Sequence, residues 1–413
     1  MEEVVDAGNL RKALARVRRN KGAPGIDGMS VEDLGAYLKD HWPEVRSRLL
    51  DGTYEPQPVR RVEIPKASGG VRPLGVPTVR DRFIQQAVMQ VLQEDWDPGF
   101  SDASYGFRPG RSAHQAVKRA QDHIRAGFGV VVDIDLEKFF DRVNHDILMG
   151  LVAKHVTDKR LLRLIRGFLT AGVLVGGLVG PTTEGTPQGG PLSPLLSNRM
   201  LDVLDKELEK RGHRFVRYAD DCNIYVRSWR AGRRVMASVT GFLVRRLKLR
   251  VNGDKSAVDR PARRAFLGFS FTVGRRAKRR IASQALARFK ARVRELTRCT
   301  KSVSLAHLAA ELSRYLVGWR GYFGFCETPS VLRSLDQWIR RRLRAVVWRH
   351  WKRGRRRFAA LRRLGVGKHL AAKTAGSVHG AWRISKSPAL SYALPNAFLD
   401  RLGLVSLQYR SVA

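Results

Sequence analysis

The sequence predicts an α+β fold whose last third is helical, and three observations carry that prediction. Between residues 60 and 273, short runs of valine, isoleucine and aromatic residues are separated by turns rich in Gly, Pro and Asp, the pattern of strands and hairpins. The same span holds segments with apolar residues three and four apart, the pattern of helices packed on a sheet. From about residue 281 only the helical pattern remains, and it is rich in arginine.

The elements follow in order. "NLRKALARVRRNKG" opens as a helix and stops at "NKGAPGIDGMS", where Pro24-Gly25 and Asp27-Gly28 are turn dipeptides. "RRVEIPKASGGVRPLGVP" (60–77) reads as two strands about a Gly69-Gly70 hairpin turn. "DRFIQQAVMQVLQEDW" (81–96) sets Phe83, Ile84, Ala87, Val88 and Val91 at helical spacing, with Asp81 near its start. "FGVVVDIDLEKFFDRVNHDIL" (128–148) begins as a buried strand of valines and passes into a helix. "GTPQGGPLSPLLSNRMLDVLDKEL" (185–208) is a loop dense in Gly and Pro that leads into a helix. "RFVRYADDCNIYV" (214–226) is a strand, a tight turn and a strand, and "AFLGFSFTV" (265–273) is one more apolar strand. Two amphipathic helices come next, one with Leu305, Leu308, Leu312, Leu316, Trp319 and Phe323 on a face, the other with Leu332, Leu335, Ile339, Leu343 and Val346. The basic stretch "GRRAKRRI" marks a domain break near 275–282.

At 413 residues and 43% hydrophobic content the chain can bury a large core. Its 77 Lys and Arg against 37 Asp and Glu give a net charge of +40, an excess that is costly without a polyanion to neutralise it. Nucleic acid is the expected partner. A membrane is not, since no apolar run approaches the ~18 residues of a span and no signal-peptide core follows Met1. Cys222, Cys299 and Cys326 show neither disulfide nor zinc spacing, which suits a reducing cytoplasm. The charge is uneven: residues 340–363 hold 12 Lys or Arg in 24 and no acid, while the organised acids lie between Asp133 and Asp221.

Those acids carry the chemistry. Asp135 ends the strand "VVVDID", and Asp220 and Asp221 sit at the turn of the later hairpin. Neighbouring side chains on a strand point to opposite faces, so a turn or bulge is needed to bring both toward one rim. If the Asp135 strand pairs beside that hairpin, three carboxylates converge and raise one another's pKa. A hard divalent cation resolves the conflict, and two of them stabilise both oxygens of an in-line phosphoryl transfer. Asp133 faces the same way as Asp135 and is the alternative ligand. Position at the strand's end, where the carbonyl of Leu136 also becomes available, favours Asp135.

The motifs "NKGAPGIDG", "IPKASGGVRPLGVP", "SYGFRPGRSAH", "DIDLEKFFD", "GTPQGGPLSPLLSN", "RYADD", "LRVNGDKS" and "FLGFSF" resemble, in order, the N-terminal and polymerase blocks of group II intron reverse transcriptases. "VGWRGYF" and "LDQWIRRRLRAVVWRHWKR" resemble the thumb and maturase helices of that family. The resemblance implies a right-hand polymerase: N-terminal extension and fingers (1–128), palm (129–274), helical thumb or maturase domain (275–364) and a small C-terminal region (365–413), which would contact DNA. It implies that Asp135, Asp220, Asp221 and the Leu136 backbone hold two Mg²⁺ ions, with Mn²⁺ as a substitute. Lys66 and Arg72 would grip the incoming triphosphate, Phe140 would exclude a ribose 2′ hydroxyl, and Asp141, Gln188 and Lys255 would line the nucleotide site. Lys21, Arg108, Arg111, Arg217, Arg340, Arg341, Arg344, Arg349, Lys352 and Arg353 would contact nucleic acid.

The implied partners are intron RNA, an RNA template with its DNA primer, dNTPs and target DNA. The family's nuclease domain, with its His and Cys ligands, has no counterpart after Arg363, so the chain resembles the short lineage that lacks it. Two other readings stand beside an active enzyme and maturase. One is a splicing factor keeping the fold as an RNA-binding scaffold, which has no need of the acids, Lys66, Arg72 or Gln188. The other is a retron, diversity-generating or defence reverse transcriptase, which does not call for the maturase-like helices.

Overall fold

The computed structural model describes residues 1–65, 70–175, 178–274, 276–298 and 303–408, and falls into two units, Met1–Phe266 and Leu267–Ala413. The first unit carries eight strands among the described residues: β1 (Val59–Pro65), β2 (Val71–Val76), β3 (Val130–Ile134), β4 (Val173–Val175), β5 (Leu178–Gly180), β6 (Arg214–Tyr218), β7 (Asp221–Val226) and β8 (Ala257–Asp259). They form two four-stranded sheets, ordered β2-β1-β4-β5 and β6-β7-β3-β8. The expected 60–77 hairpin is present as antiparallel pairing from Arg60↔Val76 to Pro65↔Val71, and its turn lies outside the described residues.

The second sheet is antiparallel throughout, with β3 between β7 and β8. The unbroken valines of β3 follow from burial on both faces: Val130, Val131, Val132 and Ile134 are all buried. Helix Trp229–Phe242 packs on β3, and helices Ala113–Arg125 and Ser193–Lys210 pack on β6. Leu201, Leu204, Leu208, Phe215 and Ile224 complete that core, each side chain contributing about 1.5–3 kcal/mol by leaving water.

In the second unit β9 (Phe269–Phe271) pairs antiparallel with β10 (Arg279–Ile281). Phe269 packs on Tyr322, Phe323 and Phe325 at ring distances of 5.6, 5.4 and 6.2 Å, which is why "FLGFSF" stands with the helices that follow it. Helices Ser283–Leu296, Leu305–Phe323 and Pro329–His350 bury Phe289, Leu312, Leu316, Leu335, Ile339 and Leu343. The tryptophans pack: Trp319 lies 4.3 Å from Phe289 and 4.8 Å from Phe323, and buried Trp348 meets Trp351 edge-on at 6.0 Å. Among the described residues no helix is long and apolar enough to cross a membrane.

Candidate active site

Strands β6 and β7 are joined by a two-residue loop, Ala219-Asp220, and Tyr218 pairs with Asp221 across it. Ala219 adopts a left-handed φ of 57°, so the chain reverses within two residues. Asp220 is thereby in the turn and Asp221 is the first residue of β7. On the other side of β7, Ile134 pairs with Cys222. The same antiparallel register carried one step on sets Asp135 opposite Asp221, so the sheet brings the acid of the first strand to the acidic turn. Asp135 is held there by its backbone: its N–H donates to Ser256 Oγ at 2.9 Å and its carbonyl accepts from Asn252 N–H at 2.8 Å.

The loop rests on a buried guanidinium. Arg217, fully buried, donates to Asp205 (2.8 Å from Nε to Oδ1), to Asn198 Oδ1 (3.0 Å), to Ser104 Oγ (2.8 Å) and to the carbonyl of Ala219 (2.8 Å). Gly106 lies so close above that a Cβ there would sit 2.3 Å from Ala219 N, and Asn198 Nδ2 donates to its carbonyl at 2.8 Å. The "SYGFRP" segment is thus part of the turn's support, which explains its glycine. Sequence reasoning missed Asp205 and Asn198. The signal was an acid on the apolar face of a helix, at the spacing of Leu201, Leu204 and Leu208, where only a buried cation makes it tolerable.

The two candidate acids of the first strand differ in their partners. Asp133 is clamped by Arg264, 2.6 Å from Nη2 and 2.8 Å from Nε, while Asp135 faces Lys255 Nζ at 3.6 Å. Arg264 also donates to the carbonyl of Lys255, so one guanidinium ties strand β3 to the "LRVNGDKS" loop. Burial raises the Asp133 carboxyl above the usual range against the pull of Arg264. The Asp221 carboxyl is pushed up to about 7, first by loss of water around it and then by Asp220, Asp133 and Asp135, with Lys255 opposing. Of these causes, the repulsion between carboxylates is the one that a bound cation would relieve. Among the described residues no three His, Cys, Asp or Glu side chains are gathered into a metal cage. The donor set is nevertheless all oxygen and in excess of its one ammonium, which fits a hard cation that keeps part of its water.

Beside the acids, the "TPQGG" loop is fastened to the turn after β3. Thr186 N–H donates to Phe140 O at 2.6 Å, Gln188 Nε2 to Asp141 Oδ1 at 3.2 Å, and Gly75 N–H to Gln188 O at 3.0 Å. Gly189 has φ 139° and a Cβ there would stand 2.6 Å from Gly75 O, so glycine is required. Phe140, Asp141 and Gln188 line one cavity of about 450 Å³, which Arg61, Pro73 and Leu74 close from the β1–β2 side. Lys66 and the side chain of Arg72 lie outside the described residues. Leu136 bridges to Val251 with its side chain buried, so only its backbone is available to a ligand.

Of the residues expected on nucleic acid, several are committed elsewhere. Arg217 has no donor left for a phosphate, and Arg108 is buried against Asp97, with Nε 2.8 Å from Oδ1. Arg340 donates to Asp400 Oδ1 at 2.8 Å and Asn396 O, Arg344 to Leu394 O and Asn396 Oδ1, and Arg341 to Trp382 O while stacking on its ring at 3.7 Å. These three hold residues 382–400 onto helix Pro329–His350, so part of each guanidinium is committed within the protein rather than to a nucleic acid. Arg111 is shared with Asp102 at 2.7 Å. Lys21, Arg349, Lys352 and Arg353 are exposed.

Comparison with known proteins follows the same outline. The family model for reverse transcriptase (RNA-dependent DNA polymerase) matches residues 64–271, and that for the group II intron maturase-specific domain matches residues 286–365. Protein YkfC of Escherichia coli (strain K12) is 35% identical over 289 residues, 60% of this chain and 76% of that one. The group II intron-encoded protein LtrA of Lactococcus lactis subsp. cremoris is 42% identical over 188 residues, 45% of this chain and only 31% of its own length. Among solved structures, telomerase from Candida albicans with a fragment of telomeric RNA has 13% identity and a TM-score of 0.45, covering 71% of this chain and 60% of that one.

Proposed function

The chain belongs to the reverse transcriptase (RNA-dependent DNA polymerase) family, among the proteins encoded by group II introns, and from that premise we infer the chemistry of its site. It extends a primer 3′ end with dNTPs on an RNA template. The 3′ hydroxyl gives up its proton to water, its oxygen bonds to the α-phosphorus, the bond from that phosphorus to the oxygen bridging to the β-phosphate breaks, and pyrophosphate leaves with the electron pair. Two divalent cations, Mg²⁺ or Mn²⁺ in its stead, would be held by Asp135, Asp220, Asp221 and the Leu136 carbonyl and would neutralise charge at the attacking and leaving oxygens.

The remaining roles fall to the chain's own groups. Lys255, 3.6 Å from Asp135, supplies a positive charge beside the triphosphate. Phe140 meets the sugar where a 2′ hydroxyl would project, and Gln188, steadied by Asp141, borders the same space. Lys66 and Arg72 complete the grip on the phosphates. The observation that carries this reading is the pairing of Ile134 with Cys222, which puts their chain neighbours Asp135 and Asp221 at the same end of two paired strands.

The test is primer extension on an RNA template by the Asp220→Ala, Asp221→Ala double variant. Loss of cDNA with RNA affinity retained is the expected result; continued cDNA synthesis would remove the carboxylates from the mechanism. The maturase-domain match favours a second role for the helical unit, binding the parent intron RNA and promoting its splicing, with target DNA as a further partner. A splicing assay at low magnesium with the same variant separates the roles, because splicing survives loss of the acids if the helical unit carries it. A cytoplasmic setting agrees with Cys222 and Cys326 being unpaired thiols.

A further inference from the structure

At the far end of the carboxylate-bearing sheet lies a cavity of about 560 Å³ that the polymerase reading does not use. It is framed by Arg214 at the start of β6, Val226 and Arg227 at the end of β7, Phe128 just before β3, and Arg234 on helix Trp229–Phe242. Asp221 and Val226 bound β7, so five strand steps, about 17 Å, separate this cavity from the acids. No acidic residue lines it among the described residues. The nearby Glu207 is occupied by Arg211, 2.7 Å away, and Arg214, Arg227 and Arg234 are exposed with no carboxylate partner among the described residues.

We propose that this cavity is a second, non-catalytic RNA site that takes the phosphodiester backbone of a folded RNA. Three solvent-facing guanidiniums converging on one concavity repel each other unless an anion lies between them, and each forked head suits two phosphate oxygens. Aromatic surface accompanies the charge: the Arg227 guanidinium lies 4.9 Å from the centroid of the Phe128 ring, which holds it at the cavity. Two neutral groups that line the same cavity favour RNA over DNA. Ser238 Oγ accepts from Arg211 at 2.8 Å, leaving its own proton to donate, and His213 presents an imidazole that burial and the Arg211 charge keep below its usual pKa. Together they offer a donor and an acceptor to a ribose 2′ hydroxyl, which DNA lacks.

The site is independent of the polymerase reading, and its test keeps the two apart. The full chain with Arg214→Ala, Arg227→Ala and Arg234→Ala is compared with the unmodified chain in binding a hairpin RNA and the DNA hairpin of the same sequence across a salt series. In parallel, both are assayed for primer extension at saturating primer–template. Expected are a fall in RNA affinity of at least about tenfold, a salt slope shallower by about 2 to 3, a smaller effect on DNA, and an unchanged kcat. Unchanged RNA affinity and slope overturn the site. Equal losses on RNA and DNA overturn the assignment to RNA, and a matching loss of kcat moves the arginines into the polymerase machinery. Should the triple variant melt early, Arg234→Ala alone, on an exposed helix face, must still reduce the slope by about 1. Absence of extension by the unmodified chain would count against the polymerase while leaving the RNA comparison readable.

Discussion

Arg217 and Asp205 form a buried ion pair directly beneath the acidic turn: Nη2 lies 2.5 Å from Oδ2 and Nε 2.8 Å from Oδ1, with neither side chain reaching solvent. The same guanidinium holds the carbonyl of Ala219, so the pair connects a helix to the loop that presents Asp220. Removing one partner leaves an uncompensated charge in the core, which costs about 3–5 kcal/mol. Asp205→Asn and Arg217→Met are each expected to lower the melting temperature by about 10 °C and to abolish primer extension. Thermal unfolding followed by circular dichroism checks the first and cDNA yield the second. A variant that melts normally would show that the pair is dispensable.

Arg264 and Lys255 are predicted to act as a unit, since the first bonds both Asp133 and the backbone of the second. Arg264→Met and Lys255→Ala should each raise the KM for dNTP, and the double variant should be little worse than the poorer single one. Coupled neighbours of this kind show interaction energies of about 0.5–3 kcal/mol. Additive effects in a double-mutant cycle would separate them. Arg264→Lys should restore only part of the affinity, because an ammonium can pair with Asp133 without forking to the Lys255 carbonyl.

Phe140→Ala should weaken discrimination against ribonucleotides by at least about tenfold while extension with dNTPs persists. The ring meets Phe139 edge-on at 5.2 Å and lines the cavity with Gln188, so its removal enlarges that space on the sugar side. Parallel extension rates with dNTP and rNTP measure the ratio. An unchanged ratio would assign the ring to packing.

His123 predicts a pH effect on stability. Buried at 6% exposure, with its ring 5.5 Å from that of Tyr225, it is pushed down to about 4, first by burial and then by Arg119 and Arg214, against Asp122 and the Phe215 carbonyl. Between pH 4 and the unfolded value near 6.5 the unfolded chain binds the extra proton, so stability rises with pH across that window and levels off above it. The shift corresponds to about 3 kcal/mol. Urea unfolding of the unmodified chain and of His123→Gln at pH 5 and pH 7.5 should show the smaller pH dependence in the variant.

Much of the fold was legible because local pattern and burial agree. The valines of β3, the Gly-rich loop before helix Ser193–Lys210 and the tight turn at Asp220 each have the residue types their geometry demands. Asp135 could be paired with that turn in advance, since a strand ending in an acid beside an acidic hairpin has few other uses. The strand "FLGFSF" was harder. Its apolar run suits either neighbour, and contacts with Tyr322 and Phe325, more than fifty residues on, join it to the helical unit.

The sequence by itself determined the strand and helix types, the three carboxylates and the polyanion-seeking charge, because those follow from residue chemistry and short-range spacing. Only the tertiary structure decided which arginines remain free to meet that polyanion. Arg214 and Arg217 lie three residues apart on one strand, yet one faces solvent and the other is sealed against Asp205. Arg340, Arg341 and Arg344 read as a basic helix face and turn out to hold down the chain's last helices. Charge is a property of the residue, but the partner that neutralises it is chosen by contacts between distant segments.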